Sequence, residues 1–118
     1  MSTPVRLVIN LTTISLEAGD AFAAAWPERL AEVQAEPGCR QYELFRSVSH
    51  PENFTVLESW ADRDAFDAHW ELERGRERLG TQHLGPSSGR RHGHNGTEIY
   101  WEQQNWGWDP EQDAWTPC

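Results

Sequence analysis

The order of elements written into residues 37–70 constrains this chain more than any other feature. The stretch PGCRQYELFRSVSHPENFTVLESWADRDAFDAHW reads as a break, a strand, a turn, a second strand and the start of a helix. Gly38 supplies the backbone freedom that closes a preceding helix. Two apolar runs, near Arg40 to Val48 and Phe54 to Trp60, flank Ser49-His50-Pro51-Glu52-Asn53. That turn chemistry between strands predicts a hairpin. Asp62 stands where an N-cap belongs, and Asp62 and Asp64 both suit the positive end of a helix dipole.

The flanking segments complete the pattern. Val5, Leu7, Ile9 and Leu11 alternate with Arg6, Val8 and Asn10, which is a strand whose second face is not purely polar. Ser15 and Glu17 open a helix with Phe22, Trp26, Leu30 and Val33 on one stripe, and Pro27 is expected to kink it by removing a hydrogen bond. The second helix is expected from about Arg63 to Leu79, stopping at Gly80. A long loop from Gly80 to Gly96 holds His83, His92 and His94, and a last strand is expected from Thr97 to Trp106. The order β-α-β-β-α-β with right-handed crossovers gives an α+β, ferredoxin-like sandwich, two helices on one face of a four-stranded antiparallel sheet. We expect one domain over residues 1–106 and a Trp-rich tail over 107–118. Apolar residues on both faces of the first strand imply a partner sheet, and hence a homodimer.

Bulk properties exclude several functions. A chain of 118 residues is one domain with a modest core, and with 37% hydrophobic residues its 7 Trp and 4 Phe must supply much of the buried area. A net charge of −9 argues against nucleic acid or an anionic membrane as partner. Arg74, Arg76 and Arg78 alternate with Glu71, Glu73 and Glu77, as on a solvated helix face. No apolar run reaches membrane-spanning length and the N-terminus lacks a signal-peptide core, so a cytoplasmic protein with Cys39 and Cys118 as free thiols is expected.

Pro37-Gly38, Tyr42-Glu43, Arg46-Ser47, Pro51, Phe54, Glu58, Trp60, Ala65-Phe66 and Ala68-His69 together resemble the antibiotic-biosynthesis monooxygenase family of small dimeric α+β barrel proteins. The resemblance covers roughly residues 5 to 75. It implies two sheets packed face to face, with a pocket in each subunit between sheet and helices. It also implies oxygenation by molecular oxygen of a small aromatic, polyketide or quinol-like compound, with no bound cofactor. In members that act on polycyclic phenols, the Trp at the place of Trp60 borders the substrate, with an Asn before it and a Tyr after it on the helix. Here Val56 and Phe66 occupy those two places, which removes the groups expected to bind the substrate's oxygens. Heme-degrading members use an Asn on the first strand, a Trp in the second helix and a His further along it. Asn10 fits the first, but His69 and Leu79 stand at the other two.

His69 is the candidate catalytic residue, because Phe66, His69 and Trp70 share one helix stripe. It reads either as a general acid or base with a tunable pKa, or as a buried side chain holding a carbonyl. Tyr42, Trp60, Phe66 and Trp70 are candidate substrate walls, and Asn10 either lines the pocket or faces a partner subunit. His92-Gly93-His94 followed by Glu98 resembles the metal motif of cupins, with His83 as a further nitrogen. Glycine around those ligands leaves them without a rigid support, so no metal is expected there. Trp106, Trp108 and Trp115 are expected to pack on a partner subunit, or to cover a pocket mouth. The rival reading is a non-redox small-molecule protein: a metal-assisted lyase or isomerase, a cyclase using the His-rich loop, or a non-catalytic binding module.

Overall fold

Every second residue from Phe54 to Trp60 is buried, the mark of a strand covered on one side. The computed structural model describes residues 3–85, 97–101 and 104–118. Its elements are β1 (Val5–Thr12), α1 (Leu16–Ala25), α2 (Pro27–Gln34), β2 (Cys39–Arg46), β3 (Asn53–Trp60), α3 (Arg63–Glu73), β4 (Thr97–Tyr100), β5 (Trp106–Asp109) and β6 (Ala114–Pro117), with a 3-10 turn at Thr81–His83. Strands β2-β3-β1-β4 form one antiparallel sheet in that order, the ferredoxin-like arrangement, and β5 pairs only with β6. Among the described residues no helix is long and apolar enough to cross a membrane.

Register decides which residues meet the helices. Leu7 lies opposite Glu58, Ile9 opposite Val56 and Leu11 opposite Phe54, while Tyr42 and Leu44 of β2 face Glu58 and Val56. With Phe22 of α1, Val33 of α2 and Phe66 of α3 these side chains build the core, in which Phe22, Val33 and Trp60 are fully buried. The opposite sheet face carries Val8, Asn10, Phe45, Thr55 and Leu57, and Phe45 is left 44% exposed.

Local chemistry fixes the helix ends. The hydroxyl of Ser15 accepts from the Ala18 N–H at 3.0 Å and the carboxylate of Asp62 from the Ala65 N–H at 2.8 Å, each cap contributing about 1 kcal/mol. Gly38 adopts φ +78°, and a Cβ there would stand 2.5 Å from that of Ala65, so the turn into β2 and the start of α3 can approach only through glycine.

Several sequence expectations are corrected. Pro27 does not kink one long helix; it begins a second one, since a residue without an N–H fits the first helical position, and the chain turns at Trp26. The helix expected to reach Leu79 stops at Glu73, where Gly75 N–H turns back to Leu72 O and Arg76 N–H to Glu73 O. The strand expected to run from Thr97 to Trp106 ends at Tyr100, and Trp106 opens a separate hairpin. The hairpin turns at Pro110–Asp113, with Asp113 in the left-handed region at φ 53°. Arg76 is not on a solvated face: its side chain is 15% exposed and ion-paired. Cys39 and Cys118 are free thiols. His92, Gly93 and His94 lie outside the described residues.

Candidate active site

A cavity of about 600 Å³ lies between the sheet and the helices, within the usual range for a small-molecule site. Its floor is the inward face of the sheet, where Leu7, Ile9, Leu11 and Val56 are interrupted by the hydrogen-bonding side chains of Glu58, Tyr42 and Thr97. Phe22 and Trp26 close one side, and Phe66, His69 and Trp70 of α3 the other. Arg78 and Thr81 stand at the rim, where both are exposed. Trp26 stacks on Tyr42 with ring centres 6.2 Å apart, so flat surfaces dominate the walls. The Trp26 indole N–H is a buried donor without an acceptor among the described residues.

His69 is held on three sides. Its ring stacks on Trp60 at 4.4 Å and 25°, and only 3% of its surface is exposed. Nδ1 lies 3.0 Å from Oε1 of Glu36; facing a carboxylate, that nitrogen carries the proton and donates it. Nε2 then presents its lone pair to the cavity side, 3.7 Å from Oε1 of Glu58. The same Glu58 oxygen accepts the Trp60 indole N–H at 3.0 Å.

Glu58 is 5% exposed, and burial drives its carboxyl up to about 7. The hydrogen bond from Trp60 opposes that rise, and the negative charges of Glu73 and Glu36 add to it. Burial likewise raises the Tyr42 phenol well above its ordinary value. Behind His69 the charges are compensated: Arg76 Nη1 lies 2.7 Å from Oε2 of Glu36 and 3.2 Å from Oε2 of Glu73. Arg29 reaches Glu73 at 3.5 Å and donates to the backbone oxygen of Glu77 at 2.9 Å. Two arginines thus tie α2 to the end of α3, and Arg76 pairs with Glu36 behind the imidazole.

Of the residues singled out from sequence, His69, Tyr42, Phe66 and Trp70 line this cavity. Trp60 does not; it lies fully buried beneath His69. Asn10 is on the opposite face of the sheet, where its side-chain oxygen accepts from the Thr55 hydroxyl at 2.7 Å, because even-numbered β1 residues point away from the helices. His83 lies in the turn after α3, and Glu98 accepts a short hydrogen bond from Tyr100. Sequence reasoning passed over Glu58, although an acid on the inward register of Phe54, Val56 and Trp60 is itself a signal. It also missed Glu36, Arg29 and Arg76, which no local pattern marks.

Comparison with known proteins bears on this arrangement. No curated protein matches the chain. A protein of Methanosarcina mazei has a solved structure similar at TM-score 0.63 and 21% identity, over 85% of this chain and 93% of that one. PA3566 from Pseudomonas aeruginosa is similar at TM-score 0.55 and 25% identity, over 85% and 92%. SnoaB, a cofactor-independent oxygenase from Streptomyces nogalater, is similar at TM-score 0.58 and 16% identity, over 86% and 95%, which speaks for the fold. The family model described as antibiotic biosynthesis monooxygenase matches residues 4–74.

Proposed function

The chain belongs to the antibiotic biosynthesis monooxygenase family, and from that premise we propose that it oxygenates a small aromatic, polyketide or quinol-like compound with molecular oxygen and no bound cofactor. The observation that carries this reading is a buried imidazole and carboxyl at the edge of an aromatic-walled cavity. Such a site binds a flat molecule, removes one proton and shields the resulting anion from water. The electron-rich anion is then the reductant of oxygen, and the protein's work is binding, deprotonation and exclusion of solvent. His69 acts on the proton, with Tyr42, Phe66 and Trp70 as walls; Trp60 supports His69 from below. The neighbour SnoaB lends the reaction type and leaves the substrate open, since Val56 and Phe66 stand at the places that bind phenol oxygens in related enzymes.

The enzyme works as a homodimer in the cytoplasm on this reading. Support for the dimer comes from Val8, Leu57 and Phe45 on the sheet face away from the helices. Oxygen uptake with a panel of hydroquinones and anthrones tests the activity: turnover that needs oxygen and falls in His69→Ala is the expected result. A second reading, a non-redox isomerase or lyase, draws on the same acid–base pair, which needs no oxidant to move a proton. Substrate consumption that persists under anaerobic conditions selects it.

A further inference from the structure

We propose that Glu58 is the catalytic residue that accepts the substrate's proton, and that His69 and Glu36 carry this proton out of the cavity. The inference rests on the deprotonation step proposed above and assigns its atoms.

The geometry runs in one line. Glu58 opens on the cavity; His69 Nε2 stands 3.7 Å from it; Nδ1 lies 3.0 Å from Glu36; Glu36 lies 2.7 Å from Arg76. Beyond Arg76 is Glu32, at 3.5 Å and 51% exposed, but Arg76 takes up no further proton, so the relay itself ends at Glu36. Closing the gap between His69 and Glu58 to the usual limit of about 3.2 Å needs a shift of about half an ångström by the Glu58 carboxyl.

Charge favours Glu58 over His69 as first acceptor. The groups around Glu58 are Tyr42 from β2, His69 and Glu73 from α3, and Arg29 and Glu36 from α2 and the turn that follows it. Arg29 is occupied by Glu32 and Glu73, and among the described residues no arginine pairs with Glu58 directly. Burial pushes its carboxyl up to about 7, where a general base is most effective. His69, by contrast, already spends Nδ1–H on Glu36 and has its Nε2 lone pair turned toward Glu58.

Each transfer conserves atoms and charge. The substrate's O–H or C–H bond breaks, its electron pair stays on the substrate, and an O–H bond forms on Glu58. That O–H then breaks as His69 gains a proton at Nε2, and His69 gives its Nδ1 proton to Glu36, whose side chain, 8% exposed, loses it to water directly and not through the already protonated Arg76. The proton's passage leaves His69 protonated at Nε2 and bare at Nδ1, so a half-turn of the ring or the return of a proton through Glu36 restores the starting tautomer before the next turnover. Oxygen is the only oxidant, and it enters after the proton has left.

Two measurements on the whole protein decide the matter. In the ligand-free protein, carboxyl-labelled glutamate NMR is expected to show Glu58 titrating near 7, assigned by its loss in Glu58→Gln, with the His69 ring nitrogens shifting at the same midpoint. A Glu58 midpoint in the ordinary carboxylate range, or His69 nitrogens indifferent to it, overturns the relay. In oxygen-uptake assays with the hydroquinone and anthrone panel, Glu58→Gln is expected to lower turnover by about 10²–10⁴-fold. Glu36→Gln is expected to lower it about tenfold, with small buffers such as imidazole restoring the rate, a response that a purely structural role would not give. Turnover by Glu58→Gln equal to wild type overturns the assignment. Failure of the wild type to turn over any compound rejects the oxygenase reading alone, and the titration still decides the relay.

Discussion

At the scale of single residues, Glu58 carries the largest consequence. Its carboxyl has an ordinary value of 4.5 in an exposed chain and about 7 in the fold, so folding binds a proton between those values. The resulting stability is fully present below pH 4.5 and is lost as pH rises through about 7. It amounts to about 3 kcal/mol. Glu58→Gln keeps an acceptor for the Trp60 N–H and is expected to abolish that dependence, read from urea midpoints at pH 5 and 8. His69→Ala is expected to cost about 10²–10⁴-fold in turnover per folded molecule, and about 1–3 kcal/mol of stability because Glu36 loses its buried partner. The inward direction of His69 was legible from its spacing with Phe66, and that of Glu58 from strand alternation. Glu36 and Arg76 were not legible, since their contacts span 33 and 40 residues and depend on how three elements meet.

Among elements, the four strands and the two helix starts follow from alternation and capping, and the sequence shows both. What it hides is where helices stop. Pro27 is compatible with a kink or with a new first turn, and only packing of Phe22 and Val33 on the same sheet selects the second. Likewise α3 has helix-forming residues beyond Glu73, but Arg76 is drawn inward to Glu36 and the helix gives way. Arg76→Leu is expected to destabilise the fold by about 3 kcal/mol, because it strands the buried Glu36 without its cation and leaves Glu73 with Arg29 alone. Gly38→Ala is expected to cost a similar amount, combining a left-handed φ with a methyl 2.5 Å from Ala65, and denaturant unfolding with an unchanged slope checks it.

For the whole molecule, shape and the uncovered sheet face matter most. The radius of gyration is 16.0 Å, against about 13.5 Å for a domain of this length, and the β5–β6 hairpin joins no strand of the main sheet. Trp106, Trp108 and Trp115 on that hairpin are 58%, 50% and 65% exposed, a large apolar area to leave in water. The dimer proposed above is expected to dissociate in Phe45→Asp, giving half the mass by light scattering. Truncation after Asn105 is expected to weaken it, and an unchanged dissociation constant would remove the hairpin from the interface. The hairpin itself escaped the sequence because Asn105 to Cys118 reads as polar, with its alternation masked by Gly107 and Pro117.

The cross-strand pair in that hairpin also gives the protein an optical signature. The indoles of Trp108 and Trp115 are held 5.6 Å apart at 72°, so their electronic transitions couple and split into a circular-dichroism couplet. Among the described residues no other two tryptophans form a ring contact. The couplet therefore reports the hairpin alone, and its loss on heating can be timed against the unfolding of the sheet within one sample and without a label.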